Sequence, residues 1–298
     1  MDLQEHHEQL MLRATDMSLE DKKLHVRSAY ICPPAHQKLL EKMEECCRSS
    51  SYPEPTCMLV MGESGAGKTT LAKQCLARHP ATRVDDDAII PGLFVTIPAR
   101  ATFHSLAQKM LFALHDPAVL IGSTHVKTIR LLALLHDCQV KLLVLDEGNH
   151  LYDKDGGKVM ANTTDWIKTL ILDARIGTIV LGLPKTESLI AQNEQLSRRF
   201  AERHTLLPFE DGPEFRHFLG CLEADLPFRD PSFLGGDEMA IRIHEASDGT
   251  IGYIMRLVRE AAITAIDEGV ECITLELLAD AFDAYIANDK PKKKNPFL

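Results

Sequence analysis

Gly62-Glu63-Ser64-Gly65-Ala66-Gly67-Lys68-Thr69 fits the phosphate-binding pattern G-x-x-x-x-G-K-[ST] at every fixed position. The flanks agree with it. Residues 56–61, Thr56-Cys57-Met58-Leu59-Val60-Met61, form a short apolar run that reads as a buried strand. Thr70 opens a stretch, 70–77, that reads as a helix. Strand, glycine loop and helix together aim backbone N–H groups and a helix N-terminus at an anion. The glycines let the chain wrap closely around phosphate oxygens, where a Cβ would collide. In this pattern Lys68 reaches the outer phosphates and the Thr69 hydroxyl ligates Mg²⁺. The expected ligands are therefore ATP and Mg²⁺, held by Gly62, Glu63, Ser64, Gly65, Ala66, Gly67, Lys68, Thr69 and Thr70.

A second acidic feature completes the chemistry. Lys141-Leu142-Leu143-Val144-Leu145-Asp146-Glu147 has four apolar residues in a row and ends in two acids. It reads as a strand buried on both faces. Asp146 is expected to hold the magnesium, and Glu147 to orient and deprotonate an attacking water. That pairing suits hydrolysis better than transfer to a small molecule.

Bulk properties set the outer limits. The chain has 298 residues, 45% hydrophobic and 26% charged, which is ordinary for a globular protein. No apolar run approaches a membrane span, and the polar, acidic start reads as no secretory signal. The expected location is the cytoplasm. The eight cysteines are scattered without a C-x-x-C, which fits free thiols. His6 and His7 read as part of a solvated terminus. Asp85-Asp86-Asp87 reads as a solvated acidic run. The formal net charge of −10 argues against a general nucleic-acid coat, but not against a local basic contact.

The organisation follows from the apolar periodicity. Residues 1–30 are polar and read as an N-terminal extension, with Ser18-Leu19-Glu20-Asp21 as a helix start. Pro33-Pro34 introduces a helix over 35–48. Further strands are expected at 92–97, 177–182 and 204–208. Helices are expected from Thr102, with Phe103, Leu106, Met110, Leu111 and Leu114 on one face, and over 126–138, with Ile129, Leu132 and Leu135 inward. From Asp211 the chain reads as helical only: 213–223, 236–246, 251–268 and 274–287. Lys290-Pro291-Lys292-Lys293-Lys294 reads as a basic solubilising tail. The division is an N-terminal extension (1–30), an α/β core with a five-stranded parallel sheet (31–210), a helical lid (211–288) and a tail (289–298).

The strand layout is similar to that of AAA+ P-loop ATPases. The chain more specifically resembles the TniB/TnsC group of transposition ATPases. The resemblance rests on Met61 to Thr69 as a G-E-S-G-x-G-K-T loop, on Val95-Thr96-Ile97-Pro98-Ala99, and on Asp146-Glu147-Gly148-Asn149-His150-Leu151. It rests also on Glu194-Gln195-Leu196-Ser197-Arg198-Arg199-Phe200, on Asp248-Gly249-Thr250-Ile251-Gly252 and on Arg259 to Ile266. What it implies is an ATPase that forms a ring or helical filament on double-stranded DNA, recruits a transposase and a target-selection adaptor, and is disassembled by hydrolysis. The alternative is a helicase loader or replication initiator of the same fold.

The resemblance also implies further site residues. Arg199, then Arg198, is the candidate arginine finger supplied to a neighbour. Arg256 is the candidate lid residue at the nucleotide. Arg100 and Thr102, with Lys109 and Lys127, are candidate DNA-phosphate contacts. Three departures stand out. Leu183 follows Gly182 where the family usually has a polar residue, with Thr186 as the nearby substitute. His150 is shifted by one place, and Tyr253 stands where a lid arginine is expected.

Overall fold

The computed structural model describes residues 3–14, 16–84, 87–99, 101–153, 158–159, 161–290 and 293–298. It divides into two compact units, Pro34–Leu206 and a second made of Met1–Pro33 with Leu207–Leu298. Arg100, Asp85, Asp86, Pro291 and Lys292 lie outside the described residues.

The helical unit begins with α1 (Leu3–Ala14) and α2 (Leu19–Ser28). Ser18 caps α2 through a reciprocal capping box with Asp21, as its sequence predicts. The α/β unit opens with α3 (Pro34–Arg48), followed by β1 (Cys57–Gly62), α4 (Lys68–Ala77) and the ribbon β2 (Thr82–Val84) and β3 (Asp87–Ile89). Next come β4 (Gly92–Thr96), α5 (Phe103–Ala113), α6 (Thr124–Asp137) and β5 (Leu142–Asp146). A second ribbon, β6 (Tyr152–Asp153) and β7 (Lys158–Val159), precedes α7 (Ala161–Ala174) and β8 (Gly177–Gly182). The unit ends with α8 (Thr186–Ala191), α9 (Glu194–Arg199) and β9 (Glu202–Leu206). The helical unit then resumes with α10 (Pro213–Ala224), α11 (Asp237–Ser247), α12 (Ile251–Glu268) and α13 (Leu275–Tyr285).

The main sheet has the order β4-β5-β8-β1-β9, with every pairing parallel. Alternate residues of each strand enter opposite cores, because side chains alternate across a sheet. Cys57, Leu59, Met61, Leu143 and Leu145 pack with α5, α6 and α7 on one face. Met58, Val60, Leu142, Val144, Ile179 and Leu181 pack with α3 and α4 on the other. Burial on both faces explains why these strands read as continuous apolar runs. The topology also places β8 between β1 and β5. The ends of the glycine loop strand and the Asp146 strand therefore flank Gly182.

Three expectations change. The last strand lies at 202–206 rather than 204–208. Its residues Glu202, Arg203 and His204 are half-buried, because β9 is an edge strand and need not be apolar. Helix α6 buries Leu135 and packs half-buried Leu132 against the core as expected, but Ile129 is 56% exposed and Lys127 and Leu131 are buried instead. Two apolar stripes compete on this helix. The buried one is selected together with the Arg130–Asp116 ion pair at 2.7 Å and the Lys127 bond to Val119 O.

The third change is the chain's end, which does not behave as a solvated tail. Phe297 is buried in the helical core. Asn295 donates to Ala279 O at 3.0 Å, and Arg242 donates to Pro296 O at 2.6 Å. Lys290 pairs with Asp248 at 2.6 Å and stands 4.3 Å from the centre of the Tyr253 ring. Lys293 pairs with the same carboxylate. The N-terminal histidines are likewise engaged. His6 Nε2 lies 3.1 Å from Asp225 Oδ1, and His7 Nδ1 lies 3.2 Å from Ala224 O.

Candidate nucleotide site

The glycine loop joins β1 to α4 at the C-terminal end of the sheet, where open parallel sheets bind ligands. All three of its glycines are required by geometry, Gly65 by a left-handed φ of 82°. A Cβ on Gly62 would stand 2.8 Å from Leu206 O. Gly67 caps α4 with φ at 86°, a left-handed conformation that favours glycine. It supplies no side chain to the first turn of α4, so the helix N-terminus is left for an anion. This cradle fits a phosphate chain.

Lys68 curls back over the loop and donates to Gly62 O at 2.6 Å and Glu63 O at 2.9 Å. Burial pushes its pKa down, while the charges of Asp146, Glu147 and Glu63 pull it up. An ammonium so withdrawn from water gains from an arriving polyanion. Thr69 Oγ1 donates to Asp146 Oδ2 at 2.8 Å, linking the first turn of α4 to the end of β5. A hydroxyl and a buried carboxylate at this distance are a hard-oxygen donor set that fits Mg²⁺.

The turn after Asp146 is sharp. Glu147 has φ at 59°, in the left-handed region that non-glycine residues seldom occupy. Its N–H donates to Asp146 Oδ1 at 2.8 Å, which fixes the turn. Its side chain is exposed and has no hydrogen-bond or ion-pair partner among the described residues. On the β4 side, Ile97 N donates to Asp146 O at 2.9 Å, and His150 Nδ1 donates to Ile97 O at 2.8 Å. His150 therefore braces the acidic turn, a role that only the register of β4 against β5 reveals.

The remaining candidates fall elsewhere. Arg199, at the end of α9, lies close enough to Cys57 for its charge to act on that thiol. Cys57 begins β1, whereas the phosphate loop follows its other end. Within one chain, Arg199 is thus at the opposite end of the sheet from the loop. Arg199 is half-buried and has no hydrogen-bond or ion-pair partner among the described residues. Arg198 is exposed and paired with Glu194. Arg203 is held by Phe200 O, Ser197 and Glu187.

Arg256 belongs to the helical unit, where it lies 3.5 Å from Asp289. Thr102 uses its hydroxyl to accept from Ser105 N as the cap of α5. Lys109 is exposed on that helix. Lys127 is fully buried, its ammonium donating to Val119 O, so it is removed from the DNA-contact candidates. Among the described residues no cluster of three or more potential metal ligands occurs, and no helix is long and apolar enough to cross a membrane.

Comparison with solved structures identifies the fold. The chain is similar to Aeropyrum pernix ORC1, solved in complex with DNA, with a TM-score of 0.67 and 18% identity over 90% of this chain and 70% of that one. It is similar to Cdc6p from Pyrobaculum aerophilum, with a TM-score of 0.65 and 13% identity over 86% and 69% of the two chains. It is also similar to RuvB, the Holliday junction branch migration motor of Thermotoga maritima, with a TM-score of 0.51 and 16% identity over 87% and 72%. The fold is thus that of the AAA+ ATPases, with a five-stranded parallel sheet and a helical C-terminal region. No curated protein sequence matches the chain. Residues 24–210, more than half of the chain, match the family described as Bacterial TniB protein, and this chain belongs to the TniB family.

Proposed function

We propose that this protein is an Mg²⁺-dependent ATPase that regulates DNA transposition by assembling on duplex DNA and recruiting a transposase and a target-selection adaptor, and that hydrolysis drives its release. The observation that carries the ATPase part is the convergence of Lys68, the Thr69–Asp146 pair and the Glu147 turn on one phosphate cradle. Lys68 would exchange its loop carbonyls for the outer phosphates. Thr69 and Asp146 would hold magnesium, which when bound neutralises phosphate charge. Glu147, exposed and unpaired among the described residues, would orient water and take its proton as the terminal P–O bond breaks.

The oligomer part is supported by Arg199. Its position far from its own loop suits donation to a neighbour's phosphate. The DNA part is supported by family membership and by the likeness to an archaeal protein solved with DNA. Lys109, exposed on α5, is the proposed contact to a backbone phosphate. Arg256 stays the candidate lid residue that the family resemblance implies.

Imaging the protein on duplex DNA with a non-hydrolysable ATP analogue, and without nucleotide, tests the proposal. Rings or filaments that need both ATP analogue and DNA are expected. Monomers under all conditions would refute it. The likeness to Orc1 and Cdc6 favours a second reading, a replication initiator or helicase loader. Binding to a transposase encoded beside the gene supports the first reading, and binding to a replicative helicase the second.

A further inference from the structure

Phe233, in the turn before α11, is held in a conformation that suits glycine. Its φ is 55°, in the left-handed region, where a bulky side chain is an outlier. One carboxylate fixes the turn: Glu223 accepts from the N–H groups of Ser232, Phe233 and Leu234 at 2.7, 2.8 and 2.8 Å. Leu234 is buried in the helical core, yet Phe233 is 68% exposed. Glycine or asparagine would make this turn with less strain, so nothing within the chain asks for an aromatic ring here. Strain retained under an exposed ring points to a task outside the chain.

A second surface is built inside out. The loop 114–122 turns its ionic partners inward: Lys127 donates to Val119 O, and Arg130 donates to Asp116, Ala118 O and Ile121 O. Leu120 and Ile121 are left 83% and 67% exposed. A Cβ on Gly122 would stand 2.9 Å from Val126 Cγ1, so the end of the loop lies against α6. There the apolar stripe continues through Val126 and Ile129, both exposed and three residues apart on one face.

Charge relates the two surfaces. In a chain with 43 acidic residues, Asp116 is the only one between Asp87 and Asp137, and it is buried against Arg130. Phe233 is flanked by exposed Asp230, Asp237 and Glu238, with Arg229 as the one exposed base. Arg216 and Arg242, which pair with Asp237 and Glu238, lie deeper than those carboxylates. An aromatic knob edged by acids thus matches an apolar face cleared of them. The α6 face also lies on the side of the sheet that carries Arg199. Leu131 and Leu135 of α6 share one core with Leu196 and Phe200, which stand on either side of Arg199 in sequence.

We propose that Phe233 of one copy docks on the face formed by Leu120, Ile121, Val126 and Ile129 of a second copy. This inference deepens the assembly reading above and rests on it. The two surfaces differ, so the contact is heterologous: every added copy brings a new knob and a new face, and growth stops only if a ring closes.

The test uses two full-length variants on duplex DNA with a non-hydrolysable ATP analogue. Phe233→Asn removes the knob and leaves a residue that tolerates the turn. Ile129→Glu places an acid on the face. Each alone is expected to raise the concentration needed for assembly about tenfold or more, with ATP affinity unchanged. The Tm of Phe233→Asn is expected to equal or exceed the wild-type value, which separates lost docking from lost folding. An equal mixture is expected to form pairs and nothing longer, because one intact face meets one intact knob. Variants that assemble at the wild-type concentration, or a mixture without pairs, would overturn this contact alone. Variants that assemble normally but lose a transposase or DNA would give the surfaces other occupants and overturn it too. A wild-type chain that stays monomeric under all conditions would instead bring down the assembly on which the inference stands.

Discussion

Lys68 and Lys127 are both withdrawn from water, Lys68 under the charges of Asp146, Glu147 and Glu63 and Lys127 on the carbonyl of Val119. Lys68 waits beside Asp146 and Glu147 on backbone carbonyls that it can release. Lys68→Ala is expected to weaken ATP binding by roughly ten- to a hundredfold, the size of one charge-assisted bond of about 1.5–3 kcal/mol. Nucleotide titration checks this, and unchanged affinity would refute the cradle. Glu147→Gln keeps the shape of the turn but removes the base. It is expected to retain ATP and to accumulate as a DNA-bound assembly, and normal turnover would exclude the role. Lys127 behaves differently. Lys127→Met replaces a buried ammonium by a side chain of similar length, so stability should change by less than about 1.5 kcal/mol and DNA affinity not at all. Lys127→Ala should cost about 2–4 kcal/mol through the cavity. Urea denaturation separates the two. The loop residues were legible in the sequence because a phosphate cradle needs glycine and lysine at fixed spacing. The fate of Lys127 was not, because lysine on a helix reads as exposed until the helix's rotation is known.

At the scale of elements, two features of the helical unit follow from contacts that no local pattern announces. His25 and His6 converge on Asp225 at the end of α10. The hydrogen bond to Asp225 raises the pKa of His25 above its usual 6.5, and burial opposes this. Burial pushes the Asp225 carboxyl up, but the bonds from His25 and His6 outweigh it and hold it below its usual 3.8. The His25 contribution is full below about 6.5 and is lost as pH rises through the raised value. The Asp225 contribution is full above about 3.8 and is lost as pH falls through the lowered value. The pairing thus stabilises the unit most between about pH 4 and 6.5. Asp225→Asn is expected to remove that pH dependence in denaturation midpoints. A mid-range maximum that survives the substitution would place its origin elsewhere. The anchored C-terminus gives a second case: Phe297→Ala should cost about 2–3 kcal/mol, somewhat less than a central core phenylalanine. The sequence carried both signals faintly, as paired histidines and as a phenylalanine next to the last residue. Their partners lie hundreds of residues away or on the far side of a turn. By contrast β1, β5 and β8 were plain to read, since burial on both faces demands unbroken apolar runs. Edge strand β9 was misplaced by two residues because it escapes that demand.

At the scale of the whole molecule, the position of Arg199 makes a prediction about pairs of chains. Arg199→Ala should leave ATP binding intact and abolish most hydrolysis. Mixing inactive Lys68→Ala chains with inactive Arg199→Ala chains should restore part of the activity, because each supplies what the other lacks. No recovery on mixing would mean that Arg199 does not act between subunits. The AAA+ architecture was legible at this scale from the order of strands and helices. The partition into units was only partly so. The first 33 residues share a unit with the last part of the chain, and their polar, weakly periodic sequence gives no sign of where their partners are.

That shared unit sets an order of events during synthesis. The segment Pro34–Leu206 is continuous, so the sheet and its phosphate loop can close as soon as β9 has emerged from the ribosome. Helices α1 and α2 emerge first yet find Asp225, Asp267 and the α12 surface only after the sheet is complete. The nascent protein thus acquires its nucleotide cradle before its helical unit. ATP present during translation therefore meets an intermediate with a finished loop and an unfinished helical unit.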